Sequence, residues 1–354
     1  MKKGIVFILL STLLFSTMEI ALHLTAAAFN PVQMNFLRFF IGSLILLPPA
    51  LRALKKRGCT LRAADLAFFA LTGFICVVVS MMLYQMAILY APASLVAVLF
   101  SCNPVFVVLF ALPLLGEKIL PRTVLSAAVS VLGILVIINP LHMAGGTAGI
   151  TLTLLAAITF ALYGVVGHRG NERFGGVALT CFSFLAGSAE MLALMLLTHA
   201  APVARGLTQL GLGAFAAAPV LQGITLRSLP GLLYIGVFVT GLGYAFYFLA
   251  MEATSATTAS LVFFFKPVLA PLFALFILRE AITPRMLAGI AFILAGSLIS
   301  LLPALLAHPS PAQAEAPEEA LEEQLDEAVE EDVARLEKNI YPKKHSLHSG
   351  GSDA

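Results

Sequence analysis

Four ionisable side chains stand inside long apolar stretches of this chain: Glu19, Arg38, Glu190 and Lys266. A charge at the centre of a bilayer costs about 2.5–3.5 kcal/mol on insertion scales, so such residues persist where they are paired or used. Lys266 is followed by Pro267, which removes a helix hydrogen bond and frees a carbonyl beside the cation. An ammonium in a low-dielectric setting attracts an anionic group such as a carboxylate. A carboxylate such as Glu19 takes an amine or exchanges a proton. Glu190 has no evident partner, and a buried protonated carboxyl and a proton-handling role both fit it. Together these are the parts of a binding site for a small polar molecule.

The elements that carry them are apolar segments long enough to cross a membrane, which takes about 20 residues. Ten run near 4–26, 32–50, 66–89, 93–114, 122–139, 148–167, 177–198, 231–251, 257–278 and 284–306. Turn chemistry separates them, as at Asn30-Pro31, Ala91-Pro92 and Gly145-Gly146. The stretch 199–230, broken by Pro202, Pro219 and Pro230, reads as a long loop or surface helix. Composition agrees: 60% of 354 residues are hydrophobic, 11% are charged, and mean hydropathy is +0.97, whereas soluble domains carry about 25% charged residues. The expected fold class is an all-α polytopic membrane protein.

At 1.5 Å of rise per residue, Lys266 and Glu190 fall near the midplane, with Glu19 and Arg38 about 5 Å toward the outer face. Depth therefore permits two pairings of Glu19, with Arg38 on the neighbouring helix or with Lys266.

Several activities drop out. Of the four aspartates only Asp65 lies before residue 307, so neither a facing Asp pair nor an acidic cluster for Mg²⁺ is encoded. There is no HExxH and no GxxxxGK[ST]. Cys59, Cys76, Cys102 and Cys181 lack CxxC spacing and read as small apolar fillers. No enzymatic activity, metal or cofactor is expected, and nucleic acid is not among the expected partners.

The chain repeats itself. A shift of 163 residues aligns 71–140 with 234–303 without a gap. It pairs Gly73 with Gly236, Tyr84 with Tyr247, Pro104 with Pro267, Glu117 with Glu280, Arg122 with Arg285 and Pro140 with Pro303. A shift of 145 pairs Phe15 with Phe160, His23 with His168 and Gly42-Ser43 with Gly187-Ser188. Apolar composition does not place Pro, Glu and Arg in register by accident. Residues 1–140 and 141–306 thus read as two copies of a five-helix unit, with 199–230 inserted in the second. Five is odd, so the second copy enters the membrane upside down, the arrangement of inverted-repeat transporters. Met1-Lys2-Lys3 before an apolar run imitates a signal peptide, but its repeat mate argues that the segment is kept.

Repeat symmetry also sharpens the site. Asn103-Pro104 is the mate of Lys266-Pro267, so each half carries a polar residue and a helix break at one depth. Pro104 and Pro267 then act as hinges or bound a central site, where broken helices of inverted repeats bind substrate. Tyr84 and Tyr247 are wall residues of that site or interface anchors. Arg38 reads as half of a structural ion pair. His23, one turn from Glu19, reads as solvated. Glu117 and Glu280 read as partners for helix-end backbone groups or for Arg122 and Arg285.

With the N-terminus inside, one face holds eleven loop Lys/Arg and the other only Arg205, Arg227, Arg279 and Arg285, which places both termini in the cytoplasm. Twelve of the 19 acidic residues lie beyond residue 306. Residues 307–354 read as a solvated, largely disordered acidic tail.

Pro104-Val105 to Leu112 followed by Gly116-Glu117, and Pro267-Val268 to Leu275 followed by Arg279-Glu280, resemble the paired signature of EamA domains. Arg38 is similar to an arginine that many first-half domains carry. The resemblance covers residues 4–306 and implies the drug/metabolite transporter superfamily: ten helices, a central cavity, and small metabolites such as amino acids as cargo, often moved outward. Glu19 is similar in helix and depth to the proton-coupling Glu of the related small multidrug resistance proteins. Gly164 stands where the second repeat would need a mate for Glu19, and Arg279 replaces the Gly of the second corner.

The expectation is a secondary-active exporter in a bacterial-type inner membrane, moving an amino acid or related amphoteric or anionic compound by alternating access. Substrate binding is assigned to Lys266, Asn103, Glu19, Tyr84 and Tyr247, with protons as a candidate coupling ion through Glu19 or Glu190. An exporter of cationic or hydrophobic compounds is one alternative. A non-transporting scaffold that recruits partners through the tail is another. Monomer and homodimer both stay open.

Overall fold

The computed structural model describes residues 2–115, 121–138, 147–253 and 261–306. Contacts divide the chain into two units, Met1–Ala304 and Leu305–Ala354, and the apolar helices belong to the first. The tail, and the Glu117 half of the first Glu-Arg corner, lie outside the described residues.

Among the described residues every regular element is helical. Seven helices are long and apolar enough to cross a membrane: α1 (Lys3–Thr25), α2 (Pro31–Lys56), α3 (Ala63–Tyr90), α4 (Ala93–Ala111), α6 (Thr147–His168), α7 (Gly176–Leu197) and α8 (Leu229–Met251). Three shorter apolar helices complete the set: α5 (Val124–Ile138), α9 (Val262–Ile277) and α10 (Pro284–Ile299). Residues 199–230 contain the α-helix Ala201–Gln209 and a 3-10 turn at Gly213–Phe215, neither with a buried residue. The four cysteines are free.

Local chemistry sets the boundaries. Asn30 caps α2, its side chain accepting from the Val32 amide at 2.8 Å, with Pro31 in the first turn. The same asparagine donates to the Ala214 carbonyl at 2.9 Å, and Gln33 donates to Val220 and Gln222, so the inserted stretch is tied to this end of α2. Gly175, at φ +80°, turns the chain between α6 and α7 in a conformation that side chains disfavour.

The helices pack mainly across the repeat. α1 lies on α8 and α9, α2 on α7 and α8, α3 on α6 and α7, and α4 on α6 and α9. Exchanging each helix for its repeat mate returns the same set of contacts. A close approach joins Gly73 of α3 to Gly187 of α7, where a Cβ on either glycine would run into the partner's backbone. Small residues let backbones meet this way when apolar burial gives helices in lipid little reason to associate. Thr72 and Ser183 add a hydroxyl–hydroxyl bond of 2.7 Å at that crossing.

Another feature carries no signature in residue types. α3 and α8 each contain a π-helical stretch, Phe74–Ser80 and Tyr234–Leu242. The 163-residue shift carries the first onto 237–243, overlapping most of the second. A π-turn leaves carbonyls available to side chains, and such turns concentrate at functional positions. Val77 uses this freedom, its carbonyl accepting from Asn35 of α2 at 2.9 Å.

Candidate functional site

α1 is interrupted at Thr17, between Lys2–Ser16 and Met18–Thr25. The Thr17 hydroxyl bonds the Leu14 carbonyl at 2.9 Å and the Tyr234 hydroxyl at 2.7 Å. Threonine bonding back to its own helix bends it, and here the bond to Tyr234 holds the bend against the π-helical part of α8. Two residues on, Glu19 faces the interior and is 1% exposed.

From the other repeat, α9 brings Lys266 to the same place. Pro267 and Pro271 lie inside that helix and deprive the Phe263 and Pro267 carbonyls of their helical donors. The Lys266 ammonium stands 2.7 Å from Glu19 Oε1. The Tyr84 hydroxyl of α3 donates to that same oxygen. Phe100 of α4 closes the group: the lysine nitrogen is 5.7 Å from its ring centre, and Tyr84 meets it edge-on at 4.7 Å. Tyr84 is 0% exposed and Lys266 3%. Three helices from both repeats thus converge on one carboxylate oxygen, and α4 packs against two of them there.

The second oxygen of Glu19 has no hydrogen-bond partner among the described residues, nor has the buried Oε1 of Gln85 one residue beyond Tyr84. Buried polar atoms are normally satisfied. A carboxylate with one oxygen doubly engaged and the other empty retains capacity for a further donor.

Of the two pairings that depth allowed Glu19, the structure makes the one with Lys266. Arg38 pairs with no carboxylate among the described residues. It is 1% exposed, bonds Asn35 Oδ1 at 3.2 Å and stacks 4.4 Å from the Phe39 ring. A role as half of a Glu19–Arg38 pair is therefore not what this geometry shows. The reason is tertiary: α9 reaches Glu19 from across the repeat, while Asn35 on Arg38's own face supplies a nearer acceptor.

The other predicted residues make their contacts elsewhere. Asn103 donates to the Ala157 carbonyl of α6 at 2.8 Å, and Pro104 beside it is exposed. Tyr247 packs against Phe15, Phe248 and Phe263. Glu190 is half-buried, with one carboxylate oxygen lacking a partner among the described residues. His23 is exposed. Glu280 accepts from the Ala93 amide at 2.8 Å and from the Ser94 amide and hydroxyl, capping α4 from the other repeat.

Sequence reasoning missed Phe100, Gln85, Asn35 and Thr17. Only Asn35 left a signal, lying three residues before Arg38 and so on its helix face. It also missed a second cross-repeat ion pair, in which Arg173 grips Asp65 with two bonds of 2.7 and 3.0 Å. Hydrogen bonding to Asp65 holds the Arg173 guanidinium above its ordinary pKa. The pair borders a cavity of about 500 Å³ lined also by Phe68, Leu114, Val165 and Phe174.

The profile described as the EamA-like transporter family matches residues 2–139 and 147–302. A Clostridium kluyveri protein described as an uncharacterized transporter is 38% identical over 308 residues, covering 85% of this chain and 93% of its own length. A probable terminal-alkyne amino-acid exporter of Streptantibioticus cattleyicolor is 26% identical over 243 residues, covering 67% and 74%. A solved crystal structure with 19% identity superposes with a TM-score of 0.57 over 87% of this chain and 99% of its own, a likeness of fold.

Proposed function

The chain belongs to the EamA-like transporter family as an integral membrane protein with two copies of the family domain, and from that premise we propose that it is a secondary-active exporter of a small amphoteric metabolite of the amino-acid class. Ten helices span the membrane as two inverted five-helix repeats, with both termini cytoplasmic, and the repeats rock about Glu19 and Lys266.

The observation that carries this reading is the buried Glu19–Lys266 pair, which joins α1 of one repeat to α9 of the other. Breaking a buried pair by removing one partner costs about 3–5 kcal/mol, because a charge is left uncompensated. A zwitterion avoids that cost on both sides. Its carboxylate replaces Glu19 on Lys266, and its ammonium replaces Lys266 on Glu19, with the empty oxygen and the Tyr84 hydroxyl at hand. The repeats can then separate around a loaded site while neither charge is left bare. A simple amine or a simple carboxylate satisfies only half of the pair. The amino-acid exporter among the relatives supports both the cargo class and the outward direction.

The Glu19 carboxylate also suits proton exchange, protonation being the other way to release Lys266. Proteoliposomes holding the purified protein and labelled amino acids test the reading, with and without a pH gradient. Movement of zwitterions but of neither simple amines nor simple carboxylates is expected. Exchanging the two charges (Glu19→Lys with Lys266→Glu) separates this from a purely structural pair: a structural pair regains full transport, and a cargo site in fixed orientation does not.

A further inference from the structure

Among the described residues Arg38 is the largest fully buried side chain, and it joins no ion pair. Among the described residues its five N–H donors make two bonds, one to Asn35 Oδ1 at 3.2 Å and a weak one to Met18 Sδ at 3.7 Å. Nε has no partner among the described residues. None of the ion pairs among those residues includes it. A guanidinium in this setting is stable only if something compensates it, and an Arg fork matches a carboxylate through two parallel bonds.

Its setting holds it in place. Asn35 is anchored by donating to the Val77 carbonyl of the π-helical stretch in α3, which leaves its oxygen turned to Arg38. The sulfur that Arg38 touches belongs to Met18, the residue before Glu19 on α1. The guanidinium therefore abuts the helical turn that bears the carboxylate of the cargo site. Glu190 of α7, the helix packed on α2, is half-buried and likewise forms no ion pair among the described residues.

Glu19 and Lys266 answer each other, whereas the buried Arg38 joins no ion pair among the described residues. We propose that Arg38 receives a second anionic group of the cargo, so that the preferred substrate is an amino acid with an acidic side group: one ammonium and two anions, net charge minus one. This rests on the reading of Glu19 and Lys266 as the cargo site. The ammonium takes Glu19, one carboxylate takes Lys266, and the second carboxylate takes the open fork of Arg38, so each of these three side chains keeps an opposite charge.

Isosteric pairs test it, because aspartate and asparagine, or glutamate and glutamine, differ by one charge at constant shape. In proteoliposomes of the wild-type protein at sub-saturating cargo, the acid should move at least about tenfold faster than its amide, as one added charge-assisted pair is worth at least about 1.4 kcal/mol. Arg38→Gln should bring the acid-to-amide ratio toward one, and Arg38→Lys should leave it in between. A wild-type ratio near one overturns the inference without recourse to any variant, as does a preference that survives in Arg38→Gln. If amides move and acids hold no advantage, only this inference falls. If neither moves, the amino-acid reading beneath it falls as well.

Discussion

Among the described residues two ion pairs cross between the repeats, and they differ in almost every physical respect. Glu19 and Lys266 are buried, share their oxygen with a tyrosine and leave the other oxygen empty. Asp65 and Arg173 meet at helix ends; Arg173 is 43% exposed, and Asp65 also accepts from the Arg62 amide at 2.7 Å. The first pair is dry and incompletely satisfied. The second is wet on one side and complete. In the dry pair each charge depends wholly on its partner, so any event that separates the two must supply a replacement. In the wet pair water stands ready, and the contact works as a brace at the mouth of a cavity.

The contrast is tested most sharply at Lys266. Lys266→Ala strands a buried carboxylate, and a loss of about 3–5 kcal/mol is expected together with loss of transport. Adding Glu19→Gln should restore much of the thermal stability in detergent without restoring transport. Recovery of transport in that double variant would show that the pair serves structure alone.

Tyr84→Phe asks how much of the dry pair rests on the third member. The hydroxyl goes while the lysine stays on the same oxygen, so the expected cost is about 1–2 kcal/mol. Transport should weaken, and an unchanged melting temperature and rate would remove Tyr84 from the site.

Asp65→Asn examines the wet pair. The expected fall in melting temperature is small, and it should shrink further at high salt, which screens exposed charges within a few ångströms. Because Asp65 raises the Arg173 pKa, this end of the pair contributes fully below the ordinary arginine value and is lost only as pH rises past the raised one. No change in its contribution is expected around neutrality. A salt-independent loss as large as that of Lys266→Ala would erase the contrast.

The smallest effect is expected at Arg279, which sits at φ +57°. A left-handed residue with a Cβ costs about 1–2 kcal/mol, offset in part by the chain entropy that glycine adds to the unfolded state. Arg279→Gly should therefore stabilise by up to about 1 kcal/mol, read as a rise in melting temperature with transport unchanged.

Much of this was legible from residue types. Glu19, Arg38 and Lys266 stand out because a charge inside an apolar run is rare, and the repeat appears because Pro, Glu and Arg recur in register. Glu280 was readable as a helix-end partner, but not that the end it caps is α4 of the other repeat. Asn103 shares its repeat position with Lys266, yet its amide bonds a carbonyl of α6, a partner that repeat position alone does not name. Symmetry of sequence sets depth along a helix and leaves rotation about the axis open.

Taken alone, the amino-acid order determined which segments are apolar enough to span, that they come in two copies, and which few charges those spans carry. Those properties follow from local composition and spacing. Only the tertiary structure decided that Glu19 meets Lys266 and not Arg38, that Tyr84 completes the group, and that Arg38 is left with an open fork. These outcomes turn on the rotation of each helix about its axis and on π-turns at Phe74–Ser80 and Tyr234–Leu242, which re-aim the residues beyond them. Side-chain pairing across helices is set by packing between distant segments, and no spacing along one segment encodes it.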